Sequence, residues 1–255
     1  MNVFPDWEVS TDRRNCVAAR ALAKSGRVLY SFVHFYLPCY GKDDKFLVRN
    51  YGVFAWTSAF IYDVDEQIEA GEAVPEALSR LDLLAGYLGE RFPLDPQILQ
   101  LLEDGRRYYG FEHDATRRRA GYTLEELERA MSLRSFDLRL LHRCLSRLAG
   151  GPYREELFDW FRAFETTMEI EDDLASIAED FQRGSFNIFC LAERQSPGEG
   201  LAFAACLREK AAAELARRAE ALSPEDRRNC EAALAFYWEV CPRREMPAAL
   251  PVGVG

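Results

Sequence analysis

The segment from Glu169 to Gly184 (EIEDDLASIAEDFQRG) carries acidic side chains whose spacing matches the helical repeat. On an α-helix, Asp172, Ser176 and Asp180 fall within an arc of about 80°. Two carboxylates and a hydroxyl are hard oxygen ligands suited to Mg²⁺, which shares the rest of its shell with water and substrate phosphates. Because like charges on one helix face repel each other, they favour a bound cation. The spacing therefore predicts a magnesium site.

An alternative interpretation of the same segment is a solvated acidic helix face without a ligand. In that case Glu171, Asp173 and Glu179 face water, and Arg183 forms a local ion pair. The surrounding sequence is unusually apolar, however. Burying a carboxylate in apolar surroundings costs free energy unless a cation or hydrogen bonds compensate its charge, and such groups often have a function. Metal binding is favoured by these apolar neighbours, which are Phe158, Trp160, Phe161, Phe164, Met168, Ile170, Leu174 and Ile177.

A second acidic group, Asp63-Val-Asp-Glu66, follows the apolar and aromatic run 51–62. Asp63 and Glu66 are i, i+3 neighbours near the C-terminal end of a helix, where the helix dipole disfavours negative charge. A metal ion is one cation that would compensate them. An ordinary acidic helix end, continuing through Glu69 and Glu72, explains the same residues. Both interpretations remain open for this group taken alone.

The elements that carry these groups are predicted to be helices, because apolar residues recur at helical spacing and strand signals are weak throughout. The fold class is therefore all-α. Thr123 and Glu126 form a capping-box signature at one helix start. The predicted helices cover Arg13 to about Leu37, Asp44–Ala70, Pro75–Arg91, Pro96–Tyr109, Thr123–Leu148, Tyr153–Phe181, Asn187–Ala192, Glu199–Ala221 and Pro224–Val240.

Composition limits the classes of protein to which the chain can belong. We predict a single domain over residues 1–255, with an irregular tail from about 242, because no linker divides the 255 residues. Hydrophobic residues make up 48% of the chain, which favours a large core. The net charge of −10 disfavours binding to nucleic acid. No signal peptide or membrane span is expected, and the seven scattered cysteines lack a CxxC pair. A cytoplasmic protein with reduced thiols is predicted.

These acidic motifs resemble those of the class I terpene synthases and their isoprenoid-synthase relatives. Asp172-Asp173-Leu-Ala-Ser176, followed by Asp180, is similar to the family's second motif, Asn/Asp-Asp-x-x-Ser/Thr-x-x-x-Glu, with Asp in the last place. Asp63-Val-Asp-Glu resembles part of the aspartate-rich first motif. The resemblance covers about residues 50–245. It implies an antiparallel helical bundle around an apolar cavity.

Two further segments carry the resemblance. Arg134-Ser-Phe-Asp137 is similar to the family's diphosphate-sensing Arg and its linker Asp, although a surface Arg-Asp pair would look the same. Trp238 with Arg243-Arg244 is similar to the C-terminal Trp and Arg-Tyr region. The resemblance thus implies catalytic roles for Arg134, Asp137 and Arg243.

The activity implied by the resemblance is that of a carbon–oxygen lyase. Three Mg²⁺ ions would help to ionise a prenyl diphosphate to a carbocation with release of diphosphate. The implied metal ligands are Asp63, Glu66, Asp172, Ser176 and Asp180. The implied substrate-binding residues are Arg134, Arg183, Arg243, Trp56, Phe60 and Phe164, although ordinary core packing would also explain the aromatic ones.

Three alternatives to a terpene cyclase or lyase stay open. A chain-elongating prenyltransferase would carry two Asp-Asp-x-x-Asp motifs, whereas Ser176 occupies the fifth place of the second motif here. A head-to-head prenyl-coupling enzyme would also pair acidic helices around a long cavity. A helical lipid-binding relative without catalysis would have no need of metal. A homodimer is possible in every case.

Overall fold

Helices make up all of the regular secondary structure among the described residues. The computed structural model describes residues 17–70, 73–118, 121–243 and 245–247, and no strand occurs in these ranges. A short 3-10 helix, Pro38–Tyr40, joins the first two α-helices. The α-helices are α1 (Ala19–Phe35), α2 (Asp44–Glu69), α3 (Val74–Gly89), α4 (Pro96–Arg118), α5 (Leu124–Arg134), α6 (Phe136–Ala149), α7 (Glu155–Arg183), α8 (Ile188–Gln195), α9 (Gly200–Glu220) and α10 (Pro224–Val240).

Most predicted helices agree with these bounds, and the all-α class is confirmed. The capping box is present, because Thr123 accepts from the Glu126 amide while the Glu126 side chain accepts from the Thr123 amide. The predicted helix Pro96–Tyr109 ended too early, since α4 continues beyond Gly110 to Arg118. Tyr109 before that glycine and Ala115 after it are both buried, so tertiary contacts outweigh its weak helix propensity.

The predicted single helix Thr123–Leu148 was wrong, because it is two helices that meet at Ser135. This residue has φ −82° and ψ 29°, outside the α-helical well, and serves as both the C-cap of α5 and the N-cap of α6. It is completely buried, and its hydroxyl donates to Glu169 Oε1 at 2.9 Å. This tertiary hydrogen bond stabilises the helix break at Ser135, where the sequence has no proline or glycine.

Two hydrophobic clusters form the interior. The larger one draws on α1–α4, α6, α10 and the first half of α7, including Leu157–Phe164. The smaller one lies among α5, α8, α9 and the second half of α7, including Ile170 and Ile177. The 29-residue helix α7 therefore passes from one cluster to the other. Its residues 165–169 lie at the crossing point between them.

The order of packing places α6 between the two acidic helices. α2 packs on α1, α3, α4 and α6, whereas α7 packs on α5, α6, α8 and α9. No described helix is long and apolar enough to cross a membrane. The predicted helical start at Arg13, and the tail from residue 248 onwards, lie outside the described residues.

Candidate functional site

Arg134, the last residue of α5, lies against the acidic face of α7. Its Nε donates to Glu169 Oε2 at 2.8 Å, and its Nη1 pairs with Asp173 Oδ1. Its Nη2 is 3.8 Å from Asp172 Oδ2. One guanidinium therefore contacts three carboxylates, and two of them belong to the predicted motif. Burial opposes the charge of Arg134, but Asp173 and Glu169 raise its pKa well above the ordinary value, so the group stays cationic.

Asp173 is held by backbone and side chain together. Its side chain is completely buried, and its Oδ2 accepts the Ile188 amide at 3.0 Å from the start of α8. Its carbonyl accepts from Asn187 Nδ2 at 2.8 Å. Burial raises the pKa of Asp173, although Arg134 opposes this effect. The alternative interpretation of Asp173 as a solvated residue was wrong, because the carboxylate faces inwards.

The predicted metal ligands of α7 lie on the side of the helix next to this cluster. Asp172 has 72% of its side chain exposed, whereas Ser176 and Asp180 are half-buried. Ser176 donates to Asp180 Oδ2, which also accepts from Asn187 Nδ2 at 3.0 Å. The structure thus brings Ser176 and Asp180 into contact one turn apart, and it leaves the Asp172 carboxylate open to solvent.

The chemistry of this donor set fits Mg²⁺. Asp172, Ser176 and Asp180 offer hard oxygens on adjacent turns, and Mg²⁺ takes few protein ligands because it keeps several waters. In the described ranges, no three His, Cys, Asp or Glu side chains are grouped so as to hold a metal ion. The fit is therefore to an incomplete shell of two carboxylates and one hydroxyl, which phosphate oxygens and water would complete.

Asp63 occupies a different environment from Asp172. It is 4% exposed, and its Oδ2 is 2.7 Å from Arg80 Nη2 in a buried ion pair. The same oxygen accepts from Gln67 Nε2 at 2.6 Å, and Oδ1 accepts the Ala18 amide at 2.6 Å. The structure therefore gives Asp63 a structural role at the contact of α1, α2 and α3.

The neighbouring acids of α2 face basic residues of α1. Asp65 Oδ2 accepts from Lys24 Nζ at 2.7 Å, and Glu66 Oε1 is 3.4 Å from Arg20 Nε. Both acids keep side-chain exposures below 20%. α1 thus supplies the cations for the first acidic group, and these contacts link α1 to the acidic end of α2.

Tyr62 connects this acidic end to the α5–α6 junction. Its hydroxyl donates to Asp137 Oδ2 at 2.7 Å. Burial raises the pKa of Tyr62 well above its ordinary value, and the nearby Asp137, Asp65 and Glu169 carboxylates add to the effect. Burial also raises the pKa of Asp137. Arg134 and Asp137 therefore contact α7 and α2, respectively, from the two ends of one short junction.

Two further acids of α7, Glu165 and Glu169, have polar partners inside the fold and were not selected by sequence reasoning. Glu165 is completely buried and accepts from Tyr36 Oη at 2.6 Å and from Arg139 Nε at 3.0 Å. Burial raises the pKa of Glu165 to about 7 against the opposing charge of Arg139. Burial likewise raises the pKa of Glu169 to about 7 against Arg134. Their i, i+4 spacing towards Asp173 was the available signal.

The other predicted arginines lie at the surface. Arg183 is 69% exposed and pairs with Glu179 at 2.6 Å, as the alternative interpretation of the acidic segment expected. Arg243 is 59% exposed, and its Nε is 3.8 Å from Glu171 Oε1. Glu171 is mainly engaged by Arg208, which donates two hydrogen bonds to it. Arg244 lies outside the described residues.

The predicted aromatic residues differ in their surroundings, although Trp56 and Phe60 are neighbours with ring centroids 5.9 Å apart. Phe164 is completely buried and packs against Phe35 and Trp160. Phe60 is 7% exposed, whereas Trp56 is 40% exposed. Two surface clefts, of about 260 and 200 Å³, lie between α5, α7 and α9 and between α4, α6 and α7. Neither cleft is lined by the predicted catalytic, metal-binding or aromatic residues.

The chain matches no protein-family model, no curated protein and no solved structure. Its resemblance to the class I isoprenoid synthases therefore rests on the residues already described, above all Arg134, Asp137 and the acidic face of α7.

Proposed function

We propose that this protein is a magnesium-dependent, terpene synthase-like lyase that binds a prenyl diphosphate at the α5–α6 junction and ionises it. One observation carries the proposal: Arg134 contacts the face of α7 that bears Asp172, one and two turns before Ser176 and Asp180. An arginine and a set of hard oxygen ligands are the two kinds of group that a diphosphate requires.

Arg134 is suited to bind the diphosphate group. Its planar guanidinium presents several N–H donors, and such donors bind phosphate oxygens in pairs. In the described structure its Nε and Nη1 donate to Glu169 and Asp173, while Nη2 faces the exposed Asp172 at the longer distance of 3.8 Å. The Nη2 side is therefore the one from which we expect contact with a diphosphate. Charge developing on the departing group would be stabilised there.

Asp172, Ser176 and Asp180 would hold Mg²⁺, which supplies neutralisation of the diphosphate charge when it is bound. Asn187 positions Asp180 through its 3.0 Å hydrogen bond. Asp137 would act as a positioning residue, because its bond to Tyr62 fixes the N-terminal turn of α6 next to Arg134. The remaining predicted substrate-binding residues would contact the substrate after a movement that brings them to this site. They are Trp56, Phe60, Phe164, Arg183 and Arg243.

A non-catalytic, lipid-binding relative is the second candidate. The observation that favours it is the engagement of Asp63, whose two oxygens accept from Ala18, Gln67 and Arg80. The first acidic group consequently offers less to a metal than the second. Such a protein would bind a prenyl chain without a requirement for Mg²⁺.

The test is incubation of the purified protein with geranyl, farnesyl or geranylgeranyl diphosphate, with Mg²⁺ and with a chelator. We expect Mg²⁺-dependent diphosphate release and a terpene or prenyl alcohol in the organic extract. Addition of isopentenyl diphosphate reveals chain elongation, and condensation of two identical substrates reveals coupling. Binding of the prenyl compounds that is indifferent to Mg²⁺, without turnover, would establish the second candidate instead.

Two pairs of variants locate the activity in the chain. Ser176→Ala should lower the turnover rate by roughly 10- to 100-fold, as losses at metal sites do, and Thr166→Ala on the same helix should not. Arg134→Gln should lower it by roughly 10²- to 10³-fold, whereas Arg129→Gln, at an exposed position of α5, is the matched control. Unchanged turnover in Ser176→Ala and Arg134→Gln would contradict the proposed site.

A further inference from the structure

The exposed apolar side chains of the protein are concentrated on α1 and α2. Seven large hydrophobic residues stand out as exposed among the described residues, and only Leu99 and Val240 lie elsewhere. Val48 is 74% exposed and Tyr30 is 60% exposed. Scattered single residues of this kind are normal, whereas a concentration marks an interaction surface. The five on the first two helices are Leu22, Tyr30, Val48, Tyr51 and Trp56.

The same two helices carry an unusual excess of positive charge. Residues 17–58 contain six basic and two acidic residues, although the whole chain has a net charge of −10. Arg27, Lys45 and Arg49 are all exposed. None of these three has an ion-pair partner among the described residues. Their charges therefore remain available to a ligand outside the fold.

The two helices present these groups on the sides that face away from the hydrophobic core. α1 and α2 pack as an antiparallel hairpin, in which Ser25 Oγ donates to the Ala55 carbonyl at 3.1 Å and Phe32 contacts Phe54. The buried residues of α1 and α2 lie on the sides turned towards the core, and the exposed residues of α1 and of the first half of α2 lie on the sides turned away from it. On α1 the exposed arc includes Leu22, Arg27 and Tyr30, and on α2 it includes Lys45, Val48, Arg49 and Trp56. We call this surface the hairpin face.

We propose that the hairpin face docks on the surface of an anionic lipid bilayer. Helices that lie in a membrane interface combine exposed aromatic and aliphatic side chains with Lys and Arg, as this face does. Tyr and Trp favour the headgroup region, and each basic residue gains attraction from anionic lipids. The negative remainder of the chain would be repelled, which orients the molecule with the hairpin face towards the membrane.

Charge decides between a bilayer and a second copy of this chain. A two-fold dimer would place the same patch on both sides of the interface, and would therefore bring together the basic residues of both copies, which outnumber the two acids of residues 17–58 by three to one. An anionic bilayer provides an apolar layer and negative charge together. Docking does not depend on the proposed enzymatic function.

The test is flotation of the full chain with two kinds of vesicle. One kind consists of phosphatidylcholine alone, and the other also contains phosphatidylglycerol. We expect binding to the anionic vesicles, weaker binding as salt is raised because the attraction is screened, and little binding to phosphatidylcholine alone. Equal binding to both vesicles, or to neither, would overturn the proposal.

Charge-matched variants assign the binding to the hairpin face. The triple variant Arg27→Gln, Lys45→Gln, Arg49→Gln should bind anionic vesicles more weakly by on the order of 100-fold, from the usual contribution of a basic residue near a bilayer. The control removes the same charge from exposed positions elsewhere: Arg117→Gln, Arg129→Gln, Arg228→Gln. Equal losses in both triple variants would contradict the assignment.

The apolar part of the surface has its own control. Val48→Ser with Tyr51→Ser should weaken vesicle binding, and Leu99→Ser, which replaces another exposed residue, should not. Thermal unfolding of every variant excludes loss of the fold as the cause. The alternative result has two parts: the protein does not bind vesicles, and it forms a dimer in solution that Val48→Ser abolishes. That result would show that a second copy covers the hairpin face.

Discussion

Two aspartates with the same expected role differ in what their carboxylates contact. Asp63 is buried and shares one oxygen between Arg80 and Gln67. Asp172 is 72% exposed, and its Oδ2 is 3.8 Å from Arg134 Nη2. Burial of an ion pair leaves each partner dependent on the other, whereas an exposed carboxylate is stabilised by water. The two residues should therefore respond to substitution in opposite ways.

Substitution of Asp63 and Asp172 by Asn is a direct test of this difference. Asp63→Asn removes the negative charge from a buried ion pair with Arg80, so the free energy of unfolding should fall by about 3–5 kcal/mol. Asp172→Asn removes one of several neighbouring carboxylates, so the free energy should change by less than about 0.5 kcal/mol. Urea unfolding followed by circular dichroism measures both values.

The same pair of variants separates structure from chemistry. If Asp172 holds a metal, Asp172→Asn loses diphosphate release while its stability is kept. Asp63→Asn should keep its activity per folded molecule, because Asp63 is engaged by protein groups. A large loss of stability in Asp172→Asn with normal activity would contradict its assignment as a ligand.

At the scale of elements, α4 and α6 approach closely where Gly105 faces Phe136. Phe136 is 2% exposed and follows directly after the helix break at Ser135. A Cβ atom added to Gly105 would lie 2.7 Å from Phe136 Cδ2 and 2.8 Å from Cζ. These distances are far shorter than carbon–carbon contact, and the buried ring has little room to move. The glycine thus lets α4 pack on the junction that carries Arg134 and Asp137.

Gly105→Ala should accordingly lower the free energy of unfolding by about 1–3 kcal/mol, because overpacking outweighs the better helix propensity of alanine. Gly110 provides the matched control in the same helix, since a Cβ there meets nothing within 4 Å. Gly110→Ala should raise the stability by about 0.5–1 kcal/mol. Chemical denaturation of both variants decides the matter, and stabilisation by both would show that Phe136 is free to shift.

Helical periodicity, together with the helix-breaking Pro and Gly residues, predicted the bounds of most helices to within a few residues. Pro224–Val240 agrees at both ends, because a proline begins the helix and the apolar positions recur at regular spacing. The break at Ser135 escaped prediction, since its cause is a hydrogen bond to Glu169, which lies 34 residues away along the chain. Local sequence signals contain no information about such a partner.

At the scale of the whole molecule, a buried polar layer lies where α7 passes between the two hydrophobic clusters. Glu165 and Glu169 face Arg139 and Arg134, and Tyr36 donates to the first of these acids. Glu165 is compensated by Arg139 and the Tyr36 hydroxyl, and Glu169 is compensated by Arg134 and the Ser135 hydroxyl, as buried ionic groups require. The layer fixes α1, α5, α6 and α7 relative to one another.

The acidic segment of α7 was singled out in the sequence, but the polar layer beside it was not predicted. Asp172, Ser176 and Asp180 were recognisable because they match a spaced pattern of oxygen ligands. Glu165 and Glu169 were overlooked, because a single buried acid becomes acceptable only through a partner on another helix. Arg139, which supplies that partner for Glu165, has no distinguishing feature in the sequence.

The pH dependence of stability should report the buried layer through Glu165. Burial raises the pKa of Glu165 to about 7 from an ordinary 4.5, so the folded protein binds this proton more tightly than the unfolded chain does. The stabilisation is complete below about pH 4.5 and is lost as the pH rises through about 7. Buried His142, whose pKa lies well below 6.5, acts in the opposite direction over an overlapping range, so a variant must isolate the effect of Glu165.

Glu165→Gln supplies that comparison, because glutamine retains the acceptor for Tyr36 and Arg139 but does not titrate. As the pH rises from about 4.5 to about 7, the free energy of unfolding of the wild type should fall relative to that of Glu165→Gln by on the order of 1–3 kcal/mol. Glu156→Gln, at an exposed position of α7, should leave the pH profile parallel to that of the wild type. His142 is unchanged in all three proteins, so its contribution cancels in each difference. Urea midpoints across this pH range give the differences, and a Glu165→Gln profile parallel to the wild type would mean that Glu165 stays ionised beside Arg139 throughout.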